Sequence, residues 1–285
     1  SEKAALSLVC SVTGGVLNMV LDYVFIGMLD MGIGGAAVAT GMGYSVTAVV
    51  GLVVFSRKTS LLHFRKPVPR VKVLVNAASN GCSEMATALV AGIITMMFNW
   101  TMLRYVGENG VAAVTIIMYV LMFVSSLYTG YSYGVAPMIS YYHGEENHGK
   151  LKTLIGISLK VIACISVLSL AASFALTKPL VSVFARPDNP VYDLAVTGNR
   201  ICAIALLFIG FNIFASGMFT ALSNGVVSAV LAFSRSFVFM LITMLVLPLF
   251  LGVSGIWLAT PAAELMALVL SAGMFWKHRK TYGYL

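Results

Sequence analysis

Three of the ten acidic residues in this 285-residue chain, Asp22, Glu84 and Glu264, fall deep inside runs of apolar residues. An ionised carboxylate at the centre of a bilayer-spanning helix costs about 2.5–3.5 kcal/mol on insertion scales, so each must meet a partner or a wet cavity. In "NMVLDYVFI" (18–26), Asp22 follows Asn18 by four residues and shares its helical face. Thr40, in the next apolar run, can lie at similar depth. A carboxylate, an amide carbonyl and a hydroxyl form an all-oxygen set suited to a hard cation or a proton. Asn18, Asp22 and Thr40 are therefore the candidate cation-binding residues. The competing reading has Asp22 simply reaching the interface, six residues from the end of its helix.

Glu84 lies on a stripe with Asn76 and Asn80, flanked by Ser83 and Thr87. Steps of four residues give one polar face, as a water-filled cavity requires. A structural carboxylate bonded to a neighbouring helix is the alternative. Glu264 sits in mid-run near Thr260 and Pro261, where structural and functional roles stand open. Asn80, Glu84, Thr87 and Glu264 form the candidate substrate or proton cavity. Further stripes, Thr115, Tyr119, Ser126, Thr129, Tyr133 and Asn212, Ser216, Thr220, read as helix packing.

Enzyme chemistry finds no support. "GYSYG" (130–134) and "GVSG" (252–255) match serine-nucleophile patterns. Both need a histidine at the same depth, and His63, His143, His148 and His278 all fall in loops or the tail. The histidines lack metal-ligand spacing, so no metal site is expected. Cys10, Cys82, Cys164 and Cys202 lie within apolar segments and read as packing residues.

The elements that position these groups are membrane helices. The chain is 59% hydrophobic and 10% charged, against about a quarter charged in a soluble domain. The pattern predicts an all-α polytopic membrane protein with eight transmembrane helices, at about 4–27, 34–56, 74–104, 110–142, 153–176, 191–222, 226–250 and 254–276. The apolar runs do not alternate, which excludes a β-barrel. With the N-terminus inside, fourteen of the eighteen Lys and Arg fall on one face, which identifies it as cytoplasmic. Lys160, Arg200 and Arg235 lie within spans and would snorkel. The net charge of +8 thus belongs to topology, and no nucleic-acid partner is expected. The basic, proline-containing stretch "SRKTSLLHFRKPVPRVK" (56–72) reads as a linker on the anionic lipid surface.

"GIGGAAVAT" (32–40) and "GVSGIWLAT" (252–260) share four of nine residues: Gly32/Gly252, Gly35/Gly255, Ala39/Ala259 and Thr40/Thr260. Both open the second helix of a pair, and both pairs end in a basic stretch. The pairs stand six helices apart, as in a parallel repeat about the membrane normal. A six-helix unit then makes helices 3–8 one bundle. Helices 1–2 become the last two of a preceding bundle whose first four members are absent from this chain.

"NMVLDYVFIGMLDMGIGGAAVAT", "GVAAVTIIMYVLMFVSSLYTGYSYGVAPMISYYHGEENHGK" and "GVSGIWLATPAAEL" resemble the multidrug and toxic compound extrusion (MATE) transporters, closest to the MepA-like and DinF-like branches. The resemblance implies a twelve-helix, two-lobe fold. Residues 1–56 would be the last two helices of the N-terminal lobe and 57–72 the interlobe linker. Residues 73–279 would be the six-helix C-terminal lobe and 280–285 a cytoplasmic tail. It further implies export of amphipathic, often cationic compounds from a bacterial inner membrane, coupled to inward Na⁺ or H⁺. No cofactor beyond that ion and no obligatory oligomer are implied. Relatives place an Asn and an Asp one turn apart on helix five and a Thr on helix six, which Asn18, Asp22 and Thr40 match. Many relatives carry an acid where Glu84 stands. The second-lobe aspartate of some relatives has no counterpart in "CAIALLFIGFNIFASGMF". The alternatives are a lipid-linked oligosaccharide flippase of the same superfamily and a non-transporting membrane scaffold or receptor. The flippase reading would need cavity cations, for which only Arg200 and Arg235 are candidates.

Overall fold

The computed structural model describes residues 4–56 and 71–284, with the side chains of 4, 5, 7 and 72–88 outside the description. Eight helices and no strand occur among the described residues. Seven of the helices are long and apolar enough to cross a membrane. The chain divides into two compact units, residues 1–76 and 77–285. The expected linker lies largely outside the described residues.

The first unit is a helical hairpin. Helix α1 (Ala4–Asp22) runs on into a π-helical turn (Tyr23–Met28), and α2 (Gly32–Ser56) returns. Gly35, Ala39 and Gly43, spaced by four, are the buried residues of α2. A Cβ on Gly43 would stand 2.9 Å from the Gly14 carbonyl oxygen, and one on Gly35 would stand 2.9 Å from Phe25 Cβ. The backbones therefore cross at a distance that only small residues permit, as in many membrane helix pairs. The outward faces carry exposed Val12, Val16, Met19, Val49 and Leu52, the surface that lipid or neighbouring helices cover.

The second unit comprises most of α3 (Val71–Tyr105), then α4 (Glu108–Gly144), α5 (His148–Phe184) and α6 (Pro190–Ala221). Helices α7 (Gly225–Leu251) and α8 (Val253–Tyr282) complete it. Asparagine starts three of these helices. The Oδ1 atoms of Asn147, Asn189 and Asn224 accept from the backbone N–H groups of Lys150, Val191 and Val227, which satisfies donors the first turn leaves free. Helix α6 is the axis of the unit and packs against α4, α5, α7 and α8. Its Gly210 leaves room for the Tyr128 ring, 2.6 Å from where a Cβ would stand. The buried Tyr128 hydroxyl lies 3.1 Å from Leu206 O and 3.2 Å from Ser166 Oγ.

Two helices outrun their expected ends. Helix α5 spans 148–184 rather than 153–176, because Asn147 caps it ahead of Lys150 and Lys152 and because Pro179 is accommodated within it. Helix α8 continues to Tyr282, and the expected tail is packed: Tyr284 is 1% exposed and its hydroxyl donates to Phe275 O at 3.0 Å. Burial and the neighbouring Tyr282 push the Tyr284 phenol up to about 12.

Candidate functional site

In the first unit the Gly14–Gly43 crossing sets the local geometry. Asn18 is one turn beyond Gly14 on α1, and Thr40 is just under one turn before Gly43 on α2, so the two meet across the crossing. Asn18 Nδ2 donates to Thr40 Oγ1 at 3.4 Å, a long contact. Asn18 Oδ1 accepts no hydrogen bond among the described residues. Asp22, one turn further along α1, is not joined to either residue. Its Oδ1 is buried and has no hydrogen-bond partner among the described residues. A buried acceptor left unsatisfied costs about 1–3 kcal/mol, and more when charged. Two of the three expected groups are thus in contact, and the third presents an unsatisfied oxygen on the same helical face. Such a donor set suits a hard cation or a proton.

Asn80, Glu84 and Thr87 lie outside the described side chains. Glu264, the remaining cavity candidate, is at the centre of a buried polar cluster in the second unit. Its side chain is 8% exposed. Arg235 Nε donates to Oε1 at 2.8 Å and to Oε2 at 3.0 Å. Asn212 Nδ2 donates to Oε2 at 2.8 Å and to the Glu264 backbone carbonyl at 2.9 Å. Ser271 Oγ in turn donates to Asn212 Oδ1 at 3.1 Å. The cluster joins α6, α7 and α8. Arg235 sits in a π-helical turn of α7, Ser234–Phe239, a widened backbone that recurs at functional positions.

Two sequence readings change here. Arg235 does not snorkel: its guanidinium turns into the bundle and neutralises Glu264. Asn212 is more than a packing residue, because it fixes the carboxylate. The available signal was positional. Arg235 and Glu264 stand near the middle of consecutive helices that fold back on one another at Gly252, so their depths overlap. Of the other stripe residues, those on α6 pack, whereas Thr115, Tyr119, Ser126 and Tyr133 on α4 are exposed. Ser216 and Thr220 of α6 reach Ser228 of α7 at 3.0 and 2.7 Å. Thr115, Ser126 and Thr129 donate to carbonyls of their own helix.

The family model described as MatE matches residues 85–246, more than half of the chain, and the chain belongs to that family. It is 23% identical over 266 residues to the multidrug export protein MepA of Staphylococcus saprophyticus, covering 92% of this chain and 58% of that protein. Against the Staphylococcus aureus protein of the same name the identity is 24% over 255 residues, covering 88% of this chain and 56% of the relative. The chain therefore spans little more than half the length of these relatives. Among solved structures, the outward-facing conformation of a multidrug resistance MATE family transporter of the MOP superfamily aligns with a TM-score of 0.82. Its identity is 21%, and the alignment covers 97% of this chain and 63% of that one. A MOP superfamily transporter from Pyrococcus furiosus aligns with the same TM-score at 20% identity, covering 96% and 62%. These likenesses establish the MATE transporter fold.

Proposed function

We propose that this chain is part of a secondary multidrug exporter that moves amphipathic, often cationic compounds out of the cell against inward flow of Na⁺ or H⁺. The protein would reside in the bacterial inner membrane, with both ends of this chain cytoplasmic. The observation that carries the reading is the buried, unpartnered Oδ1 of Asp22 beside the Asn18–Thr40 contact, in a member of the MatE family. A carboxylate left in that state at membrane depth has a use for a cation or a proton, and binding one offsets its desolvation. Asn18 and Thr40 would supply neutral oxygens. Glu84, with Asn80 and Thr87, is assigned by its sequence stripe to the drug or proton cavity.

A flippase holding a lipid pyrophosphate is less well supported. The part-buried Arg235 already has a counter-charge in Glu264, which leaves little net positive charge for a polyanion. The test is Asp22→Asn in the full-length gene product reconstituted into vesicles. Ion-gradient-driven dye export is expected to fall at least tenfold, about 1.4 kcal/mol or more of lost driving interaction, with yield and gel-filtration profile unchanged. Undiminished export by Asp22→Asn would overturn the assignment.

A further inference from the structure

We propose that Arg235 is a recognition residue for a carboxylate on the transported molecule, held ready inside the second unit by Glu264 and Asn212. The inference rests on the export reading above and adds a substrate class to it.

The argument begins with donor accounting. A guanidinium offers five N–H donors in a fixed planar fork. Arg235 spends only its Nε–H, shared between both oxygens of Glu264. Neither Nη1 nor Nη2 makes a hydrogen bond among the described residues, which leaves four donors without acceptors. A structural Arg–carboxylate pair ordinarily meets fork to fork with two parallel bonds. Here the counter-ion is met by Nε alone. The side chain is also the more open of the two, 23% exposed against 8% for Glu264.

Depth narrows the choice of acceptor. Arg235 stands about 15 Å along α7 from Gly225, near the middle of a hydrocarbon core about 30 Å thick. Headgroup phosphates do not lie at that level, and lipid tails accept no hydrogen bonds. Unbonded donors on a part-exposed side chain at this depth suit a polar guest. Glu264 is not free to serve such a guest: one oxygen takes Arg235, and the other takes Arg235 and Asn212. A cation arriving at the cluster finds its negative charge already engaged. A planar, singly charged acceptor finds an unoccupied fork that matches it in shape. A pyrophosphate would bring more charge than one neutralised guanidinium can balance.

Rhodamine 110 and its methyl ester, rhodamine 123, provide the test, since they share a cationic ring system and differ in one free carboxylate. Dissociation constants are measured by fluorescence polarisation on the full-length protein in nanodiscs. Rhodamine 110 is expected to bind about tenfold more tightly, the scale of one charge-assisted bidentate contact. Arg235→Lys, which keeps the charge on Glu264 but loses the fork, is expected to bring the ratio close to one. The paired substitution Arg235→Gln with Glu264→Gln leaves no buried charge alone and is expected to do the same, with gel filtration reporting that each variant is folded. Equal affinities in the unaltered protein, or a preference that survives both variants, would overturn the carboxylate subsite while the export reading stands. Binding of neither dye would overturn both.

Discussion

The carbonyl oxygen of Gly43 stands 2.8 Å from the point a Cβ on Gly14 would occupy, and the Gly14 carbonyl oxygen stands 2.9 Å from the corresponding point on Gly43. The relationship is reciprocal and backbone to backbone, so no side-chain rotation relieves an added methyl group. Gly43→Ala is expected to force the helices apart, at about 1–3 kcal/mol for overpacking. The Asn18–Thr40 contact would open with them. Gly51 has nothing within 4 Å of its Cβ position, and Gly51→Ala gains about 1 kcal/mol of helix propensity. Melting temperatures of the purified protein should fall for the first and hold or rise for the second.

Thr40→Val keeps the volume of residue 40 and removes the oxygen that accepts from Asn18. It deletes one neutral ligand from the proposed ion site, whereas Asp22→Asn deletes the charge. The half-saturating ion concentration for export should rise several-fold, by roughly 1 kcal/mol for a neutral hydrogen-bonding group. Maximal export should be retained at saturating ion. A loss of maximal rate with unchanged ion dependence would place Thr40 outside the site.

Removing one member of the Arg235–Glu264 pair leaves the other buried alone, at a cost of about 3–5 kcal/mol. Glu264→Gln should therefore lower the melting temperature sharply. Adding Arg235→Gln to it should recover much of the loss, since the double variant strands no charge. Additive losses would show that the two side chains are not coupled.

Tyr284 provides a pH readout at the end of the chain. Burial and the neighbouring Tyr282 push its phenol up to about 12 in the folded protein, against about 10 in an unfolded chain. The folded state favours the neutral form. The stabilisation is complete below pH 10 and is lost as pH rises from 10 through 12. The melting temperature of the unaltered protein should drop more steeply above pH 10 than that of Tyr284→Phe, which has no proton to lose.

Much of this architecture is written in residue type and spacing. Apolar runs long enough to span a bilayer locate the helices, because hydrocarbon imposes that length. The Gly35–Ala39–Gly43 stripe marks the face on which α2 packs, because close backbone approach requires small residues. The Asn18–Thr40 contact follows from depth and from the helix pairing. The ends of α5 and α8 are less legible: an asparagine cap, an accommodated proline and a packed C-terminal tyrosine carry both helices beyond their apolar runs. The Arg235–Glu264–Asn212 cluster is hardest to see. Periodicity along one helix shows which residues share a face but not which helix that face meets, and a lone intramembrane arginine looks the same whether it snorkels or pairs.

Synthesis order gives the cluster one further consequence. Asn212 and Arg235 leave the ribosome before Glu264 exists, and α6 is finished some sixty residues before α8 ends. At about 5–20 residues per second, Arg235 waits roughly 1.5–6 s for its counter-charge and α6 waits about 3–12 s for its last neighbour. During that interval a guanidinium and an amide have no intramolecular acceptor at their final depth. Helix α7 is apolar enough to enter lipid on its own, but it carries the cost of an unpaired Arg235 until Glu264 arrives. Release together with α8, as a hairpin closed at Gly252, lets the two charges cancel and removes that cost.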